Sequence, residues 1–309
     1  MAERQPSKLK VAGSTPVARF SPSIPRPLQP HRHGVTRRRT MSQATLAILG
    51  TGNIGRAIAT GLATELFSPS NIILTRRKPQ HLEDLAEAGF QVTADNREAV
   101  READTVILAV EPQQLDSLLG EIADSVDADR HLLISVVSGA SIAQMKGRLG
   151  KGAAIVRAMP NTAIALHDSM TCLAAEPGRE EALERAVEIF DAVGTTLVID
   201  EEQMIPATAL CACGIAFFLR AVRAASQGGI EIGFHPREAL QMAAQTALGA
   251  ASLVLDRETH PEREIDSVTT PRGCTISGLN EMEHQGFSSA MIKGIVTSAV
   301  TARSLYADE

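Results

Sequence analysis

A chain of 309 residues with a 44% apolar fraction is long enough for two domains, each with its own core. Eight Phe, one Tyr and no Trp leave few rings to stack on bases, and four Cys at no zinc-like spacing imply neither a disulfide framework nor a metal site. The net charge of −6 is uneven: residues 1–40 hold nine Lys or Arg against one acid, so 41–309 carries 21 basic and 35 acidic residues, a net of −14 that excludes nucleic acid as a partner of the folded part.

Residues 1–40 also hold six of the fifteen prolines and show no apolar periodicity, a composition that predicts disorder. The segment reads as an organelle presequence, a nucleic-acid-binding tail, or residues upstream of a true start at Met41. We prefer the last, because Met41 stands directly before the first structured strand.

From residue 44, apolar runs alternate with helix-period segments, the pattern of a mainly parallel sheet. Leu46 to Leu49 is the first strand and Asn53 to about Thr64 the first helix. Between them lies Gly50-Thr51-Gly52-Asn53-Ile54-Gly55, a G-x-G-x-x-G string. In a strand–turn–helix context each glycine answers a separate demand. Gly50 permits the tight turn, Gly52 the close approach of a diphosphate, and Gly55 the packing of helix on strand. The helix start adds unpaired N–H groups and a positive dipole end. A glycine-rich turn that binds nothing is the competing reading.

A second strand over 71–75 ends in Thr75-Arg76-Arg77-Lys78. An NAD site usually has Asp or Glu there for the adenosine ribose. Three cations instead suit a 2′-phosphate, which Arg grips bidentately, so NADP(H) is expected with NAD(H) as the alternative. A helix over 79–88 follows. The runs 105–110 and 132–137 are apolar throughout, as strands buried on both faces should be. Strands are also expected over 154–157, 171–174 and 196–199, with a helix over 180–193.

After Asp200 the strand signal stops. A helical stretch over 204–227 has no charge before Arg220, and Pro236 opens another helix at the favoured first-turn position. A third is expected to start near Thr275 and a fourth to run from Ser288 to the C-terminus. Helices this apolar around their circumference suit the centre of a homodimer or higher homo-oligomer. No apolar run reaches about 18 uncharged residues, so no membrane span is expected. Cys211 and Cys213 sit in the apolar helical run and read as small buried thiols, in a protein of the reducing cytoplasm.

Two later segments carry a resemblance. Arg157-Ala158-Met159-Pro160-Asn161-Thr162 resembles the R-x-MPNT turn of pyrroline-5-carboxylate reductases, and Val268-Thr269-Thr270-Pro271-Arg272-Gly273-Cys274-Thr275-Ile276-Ser277-Gly278-Leu279 resembles their C-terminal signature. With Ala109-Val110-Glu111-Pro112, the motifs stand in family order over roughly 44–305. The resemblance implies an α/β fold: a Rossmann dinucleotide-binding domain over 41–200, then an all-α dimerisation and substrate domain over 201–309. It implies reduction of 1-pyrroline-5-carboxylate, a small-molecule substrate, to L-proline by NAD(P)H in proline biosynthesis.

The same resemblance implies a site. Gly50, Thr51, Gly52, Asn53, Ile54 and Gly55 would meet the diphosphate, with Arg76 and Arg77 at the adenosine phosphate. Asn96, Ala109, Val110 and Pro112 would line the adenosine and ribose, and Met159 and Asn161 the nicotinamide. Ser267, Thr270, Gly273 and Cys274 would shape the carboxylate pocket, and Glu202 would lie beside the ring. Thr275 would be catalytic, its hydroxyl towards the ring nitrogen. The residues themselves fit this, since a Pro/Gly-bent loop running into a helix converges backbone N–H groups on a carboxylate. Hydride delivered to the imine carbon also leaves a nitrogen in need of a donor. The competing reading makes Thr275 an ordinary helix N-cap.

The chain departs from the family's pattern at Glu111, where Lys is usual, and at Cys211-Ala212-Cys213-Gly214-Ile215, where the run is usually Ser-Gly-Ser-Gly-Pro. Pro206 and Gln227 stand where acids are usual, and Arg272 replaces a small residue. These changes leave open a divergent imine or keto-acid reductase, or a catalytically weak NADP(H)-sensing paralogue.

Overall fold

The computed structural model describes residues 44–150, 152–257 and 259–306; the leader read at 1–40 lies outside them. Eight strands form one sheet: β1 (Leu46–Leu49), β2 (Ile72–Thr75), β3 (Gln91–Thr93), β4 (Thr105–Leu108), β5 (Leu132–Ser135), β6 (Ala154–Met159), β7 (Ser169–Ala175) and β8 (Gly194–Val198). Their spatial order is β3-β2-β1-β4-β5-β6-β7-β8. All neighbours are parallel except β6 and β7, so the last two strands run against the rest.

The continuous apolar runs follow from burial on both faces. Leu46 and Ile48 of β1 point into one core layer, Ala47 and Leu49 into the other. The first layer is closed by α1 (Asn53–Glu65) and by α6 (Glu180–Asp191), whose Phe190 is fully buried. The second is closed by α3 (Asn96–Glu102), α4 (Pro112–Ile122) and α5 (Ile142–Leu149). The helix expected over 79–88 is in fact a 3-10 turn, Pro79–Leu82, followed by a short α2, Glu83–Glu87. β3, α3, α4 and α5 were not anticipated from the sequence.

Beyond β8 the chain is helical. A turn at Glu201–Gln203 leads into α7 (Met204–Ala207), a π-helical turn at Thr208–Ala212, and α8 (Gly214–Glu231). The Cys213 N–H donates five residues back to the Thr208 carbonyl at 2.9 Å, which marks one surplus residue in the turn. Then come α9 (Pro236–Arg257), α10 (Pro261–Ser267), which the sequence reading passes over, α11 (Cys274–His284) and α12 (Phe287–Arg303). α7 and the π turn rest on β6 and β7, α9 packs along α8, and α12 returns across α7 and the π turn. There Ala302 is buried, and the Tyr306 hydroxyl donates to the Asp116 carboxylate on α4.

Among the described residues one helix, 201–231, is long and apolar enough to cross a membrane. The uncharged-run criterion passes over it because Arg220 and Arg223 interrupt it. Leu210, Phe218, Leu219, Leu248, Ile292 and Val300 of the helical region are each more than half exposed.

Candidate active site

The glycine string sits where the fold needs it. β1 lies between β2 and β4, so the chain leaves the sheet in opposite directions on either side of its C-terminal end, the crevice where open α/β sheets bind ligands. Gly50 has φ +91°, and a Cβ there would lie 2.5 Å from Val110 Cγ1 and 2.9 Å from the Ala109 carbonyl oxygen. Only glycine lets the end of β1 approach the Ala109-Val110 backbone so closely. A Cβ on Gly55 would meet the Gly50 carbonyl at 2.9 Å, whereas one on Gly52 would meet nothing within 4 Å. The face at Gly52 and Asn53 is open to solvent, and α1 starts with no side-chain cap. Its first N–H groups are therefore free for an anion.

A polar chain fixes the loop from behind. The Gly50 N–H donates to Thr75 Oγ1 at 3.3 Å, and that hydroxyl donates to Asn96 Oδ1 at 2.6 Å. Asn96 Nδ2 in turn donates to Glu121 at 3.1 Å. The Thr51 N–H donates to the Thr75 carbonyl at 2.9 Å, and Arg76 Nη1 reaches the Thr51 carbonyl at 3.3 Å. Arg77 and Lys78 are exposed beside it, as is Glu111 across the crevice, where it precedes Pro112 at the start of α4. The buried Thr51 hydroxyl has no partner among the described residues. An open glycine face, an uncapped helix start and a cationic rim fit the diphosphate and phosphate of a dinucleotide.

The second segment is the turn after β6. Met159 is buried at the strand end, and Asn161 is engaged on three sides. Its Oδ1 accepts from the Ala163 N–H at 3.0 Å, its own N–H donates to Ser169 Oγ at 3.1 Å, and Nδ2 donates to the Cys211 carbonyl at 3.4 Å. Arg157 on β6 is 4% exposed and pairs with Glu201 at 3.4 Å. The same Glu201 oxygen accepts from the Ile142 N–H at 2.7 Å, so one carboxylate joins α5, β6 and the start of the helical region. Burial pulls the Arg157 guanidinium below its ordinary value, and Glu201 opposes that shift. Sequence reasoning selected Glu202, which lies exposed in the same turn, and missed Glu201. Neither helical period nor charge says which of two adjacent acids faces the sheet.

The third segment is the loop into α11. Gly273 is the N-cap residue and there is no side-chain cap. Thr275 lies inside the helix, which rules out the reading of Thr275 as the cap; its hydroxyl has no partner among the described residues. The Gly273 N–H closes a turn onto the Thr270 carbonyl at 2.9 Å, with Pro271 and Arg272 at its centre. Arg272 has φ +58°, a left-handed conformation that explains why a small residue is usual there. A Cβ on Gly273 would fall 2.4 Å from Thr270 Oγ1. Thr270 and Cys274 are exposed, and the Ser267 hydroxyl turns back onto the Glu264 carbonyl at 2.7 Å. α10 packs on α9 and α11 on α12, rather than on the sheet. One protomer therefore brings the phosphate loop and the Asn161 turn to its sheet, but not its own Thr275 loop.

Two family descriptions match the chain: pyrroline-5-carboxylate reductase dimerisation over residues 201–305, and NADP oxidoreductase, coenzyme F420-dependent, over 45–139. Pyrroline-5-carboxylate reductase 1 of Dictyostelium discoideum is 55% identical over 274 residues, covering 84% of this chain and 50% of that one. The chain thus spans about half the length of that relative. Pyrroline-5-carboxylate reductase 2 of the same organism is 48% identical over 273 residues, covering 82% of this chain and 90% of that one. In fold, the chain is similar to a crystal structure of Plasmodium falciparum pyrroline carboxylate reductase with NADP bound. The TM-score is 0.79 at 22% identity, over 86% of this chain and 100% of that one.

Proposed function

This chain belongs to the pyrroline-5-carboxylate reductase family of NAD(P)H-dependent oxidoreductases, and from that premise we propose that it reduces 1-pyrroline-5-carboxylate to L-proline, preferring NADPH. The observation that carries the reading is the start of α11, where the helix is uncapped and the Thr275 hydroxyl has no partner among the described residues. Backbone N–H groups at Cys274 and Thr275, on a turn shaped by Thr270 and Gly273 next to Ser267, hold the substrate carboxylate. Thr275 donates to the ring nitrogen as it gains electron density, and Glu202 lies beside the ring. The bound nicotinamide supplies the hydride.

On the sheet side, Gly50 to Gly55 hold the diphosphate. Arg76 and Arg77 hold the 2′-phosphate, and Asn96, Ala109, Val110 and Pro112 line the adenosine half. Met159 and Asn161 flank the nicotinamide. Because α11 packs away from its own sheet, a second copy of the chain brings a Thr275 loop to each phosphate loop. The division falls near residue 200, into a cofactor domain over 41–200 and a dimerisation and substrate domain over 201–309. A cytoplasmic location is supported by four cysteines that are all free.

The test is NADPH oxidation in the presence of 1-pyrroline-5-carboxylate, with proline identified as product. NADPH bound without turnover would reject the substrate assignment. In the same preparation NADPH binds more tightly than NADH, and Arg76→Ala costs NADPH roughly 1–3 kcal/mol as its charge-assisted bond is lost. Equal affinities would reject the cofactor preference.

A further inference from the structure

Next to the Asn161 turn, but outside the residues proposed for catalysis and binding, two thiols face each other. Cys172 on β7 and Cys211 in the π turn have their sulfurs 3.8 Å apart, within an apolar pocket closed by Met159, Ala174, Met204 and Ala207. Cys172 is buried and Cys211 half-buried. The two thiols share a hydrogen bond in which either can donate; with Cys172 as donor the contact lowers the Cys211 thiol to about 7, while that contact and burial raise Cys172. Cys211, the more accessible of the two, is thus the one biased towards thiolate, the reactive form, with a second thiol at hand to resolve whatever forms on it. Cys213 turns elsewhere, into a groove with Ser138, Thr297 and Thr301, and Cys274 lies in the exposed loop.

We propose that Cys172 and Cys211 form a peroxide-driven, thiol-reversible disulfide that clamps the π turn to β7 beside Asn161 and slows turnover. The Cys211 thiolate attacks one oxygen of hydrogen peroxide; the O–O bond breaks, and the sulfur becomes a sulfenic acid as hydroxide takes up a proton to leave as water. The Cys172 thiol then attacks that sulfur, the S–S bond forms, the S–O bond breaks, and a second water leaves with the Cys172 proton. Two thiols and one peroxide give one disulfide and two waters; sulfur is oxidised and peroxide oxygen reduced. Closing the sulfurs from 3.8 Å to bonding distance, about 2.05 Å, moves the Cys211 backbone relative to β7. The wide π turn is the part of the helix able to yield. Its Cys211 carbonyl is the one that Asn161 Nδ2 holds, so the movement reaches the turn that flanks the nicotinamide.

The experiment uses the full reduced chain, treated with hydrogen peroxide, alkylated, digested with trypsin and examined by mass spectrometry. The expected product joins the Cys172 peptide to the Cys211 peptide, two hydrogens lighter than their sum. C213S still gives it; C211S and C172A do not, and melting curves of both variants establish that they are folded. NADPH-dependent turnover falls about tenfold or more on oxidation, the scale expected of a displaced positioning group, and dithiothreitol restores it. C211S keeps its turnover under peroxide. A link through Cys213, no link at all, or a linked protein with the turnover of the reduced one would each overturn the proposal. This inference does not rest on the substrate assignment. Should the reduced protein prove inactive on 1-pyrroline-5-carboxylate, the clamp is judged by the linked peptide and by a weakened NADPH titration, and is overturned if either is missing.

Discussion

At the scale of single residues, Thr275 carries the sharpest expectation. A contact that strengthens as the ring nitrogen gains charge lowers the barrier rather than the binding constant. Thr275→Val should therefore lower kcat by on the order of 10–1000-fold and leave NADPH affinity unchanged. Because Gly273 and not Thr275 is the N-cap, the loss of about 1 kcal/mol that removal of a cap brings should be absent from its melting curve. A Val variant turning over at the parent rate would take Thr275 out of the mechanism. Arg272 carries the opposite kind of expectation. A non-glycine residue at φ +58° costs roughly 1–2 kcal/mol, so Arg272→Gly should raise stability by up to about 1 kcal/mol in urea titration. An unchanged midpoint would mean that the Arg272 side chain makes up the difference elsewhere. Residues whose demand is made by the backbone, such as Gly50 and Gly55, were legible in the sequence because a spacing states that demand. Glu201 was not, because its role comes from two partners distant in the chain, Ile142 and Arg157.

At the scale of elements, the junction between α4 and β5 should set an acid limit. His131 is buried there, with Nδ1 accepting from the Asp127 N–H at 2.8 Å. Burial, above all, holds its pKa below the ordinary 6.5. The folded state keeps His131 neutral while the unfolded chain protonates it near 6.5, so the unfolded state binds more protons as pH falls. Its contribution is complete above 6.5 and is lost as pH drops through the lowered value. Denaturation midpoints from pH 8 to about 5 should show this slope, and His131→Gln should flatten it. A slope identical in the two proteins would assign the acid sensitivity to other groups. β1, β2, β4 and β5 were legible because strands buried on both faces are apolar throughout. Three-residue β3 was too short to show a period, and the seven residues of α3 lie under a polar face fixed by the Asp95 cap. The reversal at β7 left no mark, since periodicity records burial and not direction.

At the scale of the whole molecule, the exposed apolar faces of α8, α9 and α12 are larger than a lone protomer is expected to show to water. A homodimer or larger assembly through 201–305 should therefore dominate at micromolar concentration in light scattering, and a stable monomer there would contradict it. The long helix that begins this region holds a feature whose effect reaches beyond the site. The π turn at Thr208–Ala212 stores one residue more than helical pitch requires. Deleting Leu210 would let the turn close at ordinary pitch with both flanks keeping their angular phase, whereas deleting a residue from the middle of α8 would rotate everything beyond it by about 100°. The spine that joins the two halves of the molecule is thus rigid to insertion and deletion along its length but tolerant of a single deletion at one point, and there a lineage can shorten its chain by one residue without turning either half away from its neighbours.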